Sequence, residues 1–301
     1  MKKRILFPAV ALGLWAASCK EYVDPIASTA LATDSTYVAA VEDAAAKRIL
    51  VEELSGVICP NCPSGAAKLE TLSATDSLSI VTIHTGSLTT PISGKSTQDF
   101  RSSDGAGIIA YVYNGVDPSK PAAAFDRLPL NAATDQTNKW FIEGYNKWES
   151  GIASAKASTA PVNIDIVSVF NSETDKYDIT VWVKYTQATT GKQALNIVLT
   201  ESGIEDYQEY SGAKIDLFTF NHVLRKSLTN VSTGQAILDS LDTKEAGRVY
   251  LYRTSVDVSQ PDEKNNSWVA ENMTITAFVT ENTDPATDRR VLQVADAKLV
   301  K

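Results

Sequence analysis

The apolar positions of this chain change period once, near residue 160. Before that point short apolar runs alternate with stretches of helical spacing. Residues 48–54 form a compact apolar run that reads as a buried strand ending at Gly56, and residues 79–84 read as a second one. Between them, Ala66, Ala67, Leu69 and Leu72 recur at helical spacing and predict a helix over 63–74. Residues 85–95 read as loop. A second helix is predicted within 98–113, interrupted by Gly105 and Gly107. Residues 121–126 form a short strand entered through a proline. The strongest helical pattern lies over 135–156, where Trp140, Phe141, Tyr145, Trp148 and Ile152 make one core-facing stripe, and a further helix can begin over 39–47. After Thr159 the pattern alternates. Val162, Ile164 and Ile166 do so first, then Tyr177, Ile179, Val181, Val183 and Tyr185, then Leu195, Ile197 and Leu199, with later strands over 248–255, 273–280 and 291–300. Short strands separated by turn residues predict an all-β, immunoglobulin-like antiparallel sandwich.

The first residues follow a different logic. Lys2, Lys3 and Arg4 precede an uncharged apolar run over 5–15, then Ala16, Ala17, Ser18 and Cys19. Basic, apolar and small segments in that order make a secretory signal. The run is too short to cross a bilayer core of about 30 Å as a helix. Small residues directly before a cysteine resemble the lipobox of bacterial lipoproteins, which implies cleavage after Ser18 and acylation of Cys19. Lys20 at the next position, in place of Asp, favours the outer membrane by the same resemblance; which side of that membrane the protein faces stays open. Loss of three basic residues with the leader leaves 25 basic against 36 acidic residues, a formal charge of −11. The acids are dispersed, which argues against nucleic acid and against anionic lipid surfaces as partners.

With Cys19 acylated, Cys59 and Cys62 are the remaining two of three cysteines and can close a disulfide in an oxidising compartment. They lie in Ile49-Leu-Val-Glu-Glu-Leu-Ser-Gly-Val-Ile-Cys-Pro-Asn-Cys-Pro63, a buried strand, a short loop and a helix start. A helix N-terminus stabilises a thiolate through unpaired N–H groups and the macrodipole. The two-residue spacing lets one sulfur attack and the other resolve a mixed disulfide. Three readings stay open for this pair: an exchange-competent dithiol, an inert disulfide, or a metal site. The last is disfavoured because zinc sites need further ligands and the chain has two histidines. No serine–histidine–aspartate set, phosphate loop or paired-carboxylate motif stands out, and no cofactor is expected.

Strand, CxxC, helix, strand and a later proline-led strand resemble the thioredoxin-like fold. More narrowly, the segments 51–56, 59–63, 83–86, 121–127, 221–225 and 277–279 resemble the twenty-eight-kilodalton outer-membrane-protein family of Bacteroidetes lipoproteins. The resemblance implies a signal peptide at 1–18, a lipidated tether and lead-in at 19–46, an α/β thioredoxin-like domain at 47–158 and a β-sandwich domain at 159–301. It also implies roles: Cys59 attacks, Cys62 resolves, Glu52 is the buried acid accepting the resolving thiol's proton, and Pro121, joined by a cis bond, faces the disulfide. The chain departs from working thioredoxins in having Ile58 before the first cysteine and Pro60-Asn61 between the two. Glu53 should face away from Glu52, His84 should be a hydrogen-bonded strand-end residue, and His222 and Arg225 should fix a loop or domain contact. Two functions follow: an outer-membrane-anchored envelope lipoprotein that binds a protein or glycan, or a thiol–disulfide oxidoreductase acting on envelope proteins.

Overall fold

A computed structural model describes residues 34–211, 213–259, 261, 267–282 and 289–301. The expected signal peptide at 1–18 and the expected lipidation site Cys19 lie outside the described residues. The first half contains β1 (Ser35–Val38), β2 (Ile49–Ser55), α1 (Cys62–Ser73), β3 (Leu78–His84), α2 (Ser103–Val112), β4 (Ala122–Phe125), β5 (Ile142–Glu143) and α3 (Trp148–Lys156). The second half opens with β6 (Val162–Asn171), β7 (Lys176–Tyr185), β8 (Thr189–Thr190), β9 (Gln193–Glu201), β10 (Ile204–Tyr210) and β11 (Ala213–Phe220). It continues with β12 (Val223–Ser227), β13 (Gln235–Ile237), β14 (Thr243–Lys244), β15 (Arg248–Val256), β16 (Met273–Glu281) and β17 (Val291–Lys298).

β2 and β3 pair in parallel, so the chain must cross over between them, and α1 is that crossover. Every residue of both strands is buried because helices cover both faces. Ile49 and Val51 point to the face of α1 and α3, where Leu69, Leu72, Trp148 and Ile152 pack. Leu50 and Leu54 point to the opposite face, against Ile108, Ile109 and Val112 of α2. α2 is capped by Ser102, whose hydroxyl accepts from the Gly105 amide at 3.0 Å.

The two halves share one sheet. Its order is β17-β16-β9-β12-β3-β2-β4-β5, with β13 added on β9. The seam between the halves is β12 against β3, where Val223 registers with Thr82 in parallel and the Thr82 amide donates to the His222 carbonyl at 2.8 Å. The expected boundary near 158–161 falls between α3 and β6, but this sheet takes strands from both sides of it. A second, four-stranded sheet, β1-β15-β7-β6, packs on the β9–β16 end of the first. The alternation read in the sequence supplies that interface: Tyr177, Ile179, Val181, Val183 and Tyr185 of β7 meet Leu195, Ile197 and Leu199 of β9 in one apolar core.

Two helical expectations fail for identifiable reasons. Over 135–156 only α3 and a preceding 3₁₀ turn, Tyr145–Lys147, are helical. Asp135 accepts from the amides of Thr137 and Asn138, and Asn138 bonds both backbone groups of Phe141, so side chains take the backbone partners a helix would need. Gly144, at φ 77°, then breaks the run. Trp140 and Phe141 still reach a core, packed on Tyr113 from a loop. Residues 39–47 are non-helical as well: Asn163 of β6 bonds the Ala45 amide and the Asp43 carbonyl, and β1 pairs with β15. The stretch from 35 onward is thus held on the second sheet, through β1 and Asn163.

The closest steric constraint is between α3 and β4. A Cβ on Gly151 would stand 2.2 Å from Cδ2 of the fully buried Phe125. Overpacking of a core costs about 1–3 kcal/mol, more than the roughly 1 kcal/mol of helix propensity that alanine adds. Gly151→Ala is therefore expected to destabilise the protein in a denaturant titration; an unchanged or raised midpoint would show that the Phe125 contact is not tight.

Candidate functional site

The CxxC pair closes a disulfide, with the Cα atoms 5.5 Å apart. Cys59 lies in the loop before α1, its amide donating to Gly56, and Cys62 is the first helical residue. The Lys120–Pro121 bond is cis, and the Pro121 ring stands against α1: a Cβ on Gly65 would meet it at 2.9 Å.

The disulfide is not open to solvent: Cys59 is 0% exposed and Cys62 2%. The cover is the β10–β11 hairpin from the second half. Backbone bonds run from Glu209 N to Val57 O at 2.8 Å and from Ser211 N to Pro60 O at 2.9 Å. The buried amide of Gln208 donates to the carbonyls of Cys59 at 3.0 Å and Gly56 at 3.2 Å. The buried carboxylate of Asp206 accepts from the amides of Thr97 and Gln98, tying the same hairpin to a second loop. Val57, Phe100, Phe220 and Val223 close an apolar cluster beneath it, with Ile58 and Phe218 at its margin. No local pattern in the sequence marks Asp206 or Gln208, because their partners are about a hundred residues away or more.

The two acids of β2 alternate to opposite faces, as expected, but both are buried. Glu52 faces the α2 side. It makes a two-pronged pair with Arg127, at 2.9 and 2.8 Å, and accepts from the Tyr113 hydroxyl. Arg127 in turn lies 4.8 Å over the Phe278 ring of β16. Glu52 is thus committed to an ion pair away from α1. Glu53 is on the face of α1, where it lines a groove with Pro63, Ala66 and Leu69. Alternation separates the two faces, but only the packing of α1 says which acid the helix covers. Next to these, Asp126 pairs with Lys47 at 2.8 Å and accepts from the Leu50 amide.

His84 is buried without a hydrogen-bond partner for either ring nitrogen among the described residues, so the expected strand-end bond is not made. Its ring packs on Phe100 and Phe220, at 5.1 and 5.9 Å. Burial, together with the positive Arg225 and Lys120, pushes its pKa down to about 3. Arg225 bonds Glu201 at 2.7 Å, both side chains buried, and the His222 carbonyl carries the seam.

Residues 128–301 match the model of the family described as outer membrane protein Omp28. No curated protein matches the chain. Among solved structures it resembles HBP35 of Porphyromonas gingivalis, with a TM-score of 0.60 at 14% identity, over 84% of this chain and 75% of that one. It also resembles protein AGR_C_4864 from Agrobacterium tumefaciens, with a TM-score of 0.53 at 11% identity, over 85% of this chain and 95% of that one. At these identities the likeness is one of fold.

Glu53 gives this site a pH signature. Desolvation raises its pKa from 4.5 to about 7, against the opposing bond from Thr82. A carboxyl with a raised folded pKa holds its proton longer in the native state. Stability from Glu53 is therefore full below pH 4.5 and is lost as pH rises through 7, by about 3 kcal/mol. His84, with its lowered pKa, acts in the opposite sense between pH 3 and 6.5, so the two must be separated. The stability of the wild type relative to Glu53→Gln is expected to fall by that amount between pH 4.5 and 7.5, measured by urea unfolding. A difference that does not vary with pH would show that Glu53 ionises as an exposed acid does.

Proposed function

The chain belongs to the Omp28 family of outer membrane proteins, and from that premise we propose that it is a lipid-anchored envelope protein whose thioredoxin-like layer serves as a sealed binding scaffold. The observation that carries this reading is the burial of Cys59 under the β10–β11 hairpin. Thiol–disulfide exchange requires in-line approach of a thiolate to one sulfur. With neither sulfur reachable, the native state holds the pair as a staple between the loop and the first turn of α1. Anchoring would come from acyl chains on Cys19. Among the described residues no helix is long and apolar enough to cross a membrane. Several acyl chains suffice for stable attachment where one does not. The β sandwich, with an acidic surface, would face the partner, a protein or glycan of the envelope or the extracellular space.

One observation favours a second reading. Pro121 packed against α1, the helix that Cys62 opens, is a part that exchange chemistry would use. On that reading the protein is a thiol–disulfide oxidoreductase whose hairpin must swing away first, with Cys59 attacking and Cys62 resolving.

The readings differ in the rate at which thiols reach the disulfide. The native protein is expected to resist dithiothreitol for as long as the fold is intact. Gln208→Ala removes the buried bonds to Cys59 and Gly56, which are worth about 1–3 kcal/mol together. It should accelerate reduction roughly tenfold or more if opening of the hairpin limits the rate. Reduction of the wild type at the rate of an exposed peptide disulfide would overturn the sealed reading, and turnover of a disulfide substrate would install the second.

A further inference from the structure

Lys47 stands just before β2 and Asp126 just after β4, and their side chains meet inside the protein. Lys47 Nζ lies 2.8 Å from Asp126 Oδ2, with the two side chains 9% and 1% exposed. The carboxyl is fixed in place. Its Oδ1 accepts from the Leu50 amide at 2.9 Å. The Asp126 amide donates to the Leu50 carbonyl, and its carbonyl accepts from the Val291 amide, each at 2.9 Å. The amine is held by the Val291 carbonyl, 3.3 Å from Nζ. Asp126 and Arg127 also take positive φ angles in succession, 48° and 55°. Residues with side chains disfavour that conformation, and backbone held in it gathers at sites where a group must be aimed.

As an ion pair the contact is poorly made. A buried pair needs hydrogen bonds on its remaining lone pairs and protons to offset desolvation. Oδ2 makes no hydrogen bond among the described residues although Nζ is 2.8 Å away, so the amine lies off the directions in which that oxygen accepts. Desolvation drives both partners toward neutrality. It raises the pKa of Asp126 to about 6 and lowers that of Lys47 from its ordinary value. The neutral amine is the nucleophilic form of lysine. In water, condensation of an amine with a carboxyl group is opposed by the hydration of the two ions, and burial has removed that hydration here.

We propose that Lys47 and Asp126 condense to an amide between Nζ and Cγ, a covalent cross-link that ties the lead-in of β2 to the end of β4 and that the folded chain makes by itself. The Lys47 ammonium gives one proton to Oδ2, and the freed Nζ attacks Cγ. The Leu50 N–H stabilises the negative charge that develops on Oδ1. A second proton passes from the nitrogen to Oδ2, the Cγ–Oδ2 bond breaks, and Oδ2 leaves as water. The third ammonium proton stays on the amide, so atoms and charge balance with no other reagent. β2 and β4 are paired in antiparallel register, which holds the two groups together. Well-oriented groups of this kind react at effective concentrations of about 10⁵–10⁸ M. The neighbouring buried pair, Glu52 and Arg127, cannot follow this route, because both carboxylate oxygens are hydrogen-bonded and a guanidinium does not lose its proton. The cross-link involves neither sulfur and is independent of whether the disulfide is sealed or exchanging.

The test is peptide mapping by tandem mass spectrometry of the purified full-length protein, digested with trypsin after denaturation. Lys47 and Asp126 are expected in one branched peptide, lighter by one water than its two linear arms together, with no cleavage after Lys47. Lys47→Arg keeps the positive charge and cannot form the amide, so it should give the linear peptides only. Recovery of Lys47 and Asp126 from the wild type in separate linear peptides of full mass overturns the proposal. So does a branch from Lys47 to any other acid. Both results are read on the wild type and stand even if Lys47→Arg does not fold.

Discussion

The parallel seam between β3 and β12 is the contact on which the rest of this molecule depends. The edge strand of a small α/β sheet is paired by a strand about a hundred and forty residues later. Unpaired edge groups are costly when buried and aggregation-prone when exposed. Here the edge is closed by the same chain. β12 then hands the sheet on to β9, β16 and β17 through antiparallel pairs, and the inner face of that extension carries the second sheet. The α/β layer and the sandwich thus share backbone hydrogen bonds as well as side-chain contacts.

The seam also decides what happens at the disulfide. β10 and β11 immediately precede β12, so fixing β12 beside β3 brings the hairpin across the end of β2, where the cysteine loop begins. Gln208 and the backbone of Glu209 and Ser211 complete the loop's hydrogen bonding, and Phe220 seals it from below. The same placement leaves a half-open groove between α1 and β11. Sealing the sulfurs and leaving that groove beside them are two results of one strand pairing.

Buried charge is distributed by the same layering. Glu52 is matched by Arg127 and Tyr113, and Arg127 lies on Phe278 from the β16 end of the sheet. Removing one partner of such a pair is far more damaging than exchanging both for apolar residues, and the Arg127–Phe278 contact carries the network across to the second half. Glu53, one residue on, has only Thr82. Adjacent acids on one strand therefore have opposite characters, one a structural pair and the other a carboxyl held near neutrality by desolvation.

Much of this was legible in the residues. The strands on either side of α1, the helix start at the CxxC pair, the proline-led strand and the alternation after residue 160 follow from local patterns, because burial of one or two faces dictates the period of apolar positions. Family membership was legible in the quoted segments. The helix expected over 135–156 was misread because Asp135 and Asn138 use their side chains on the backbone, a competition that periodicity does not register. Tertiary structure alone decided that the halves share a sheet, that Cys59 is covered, and that Glu53 and not Glu52 lies under α1. Each of these depends on which distant strand closes an edge or which face a helix covers, and strand pairing leaves no trace in the spacing of neighbours along the chain.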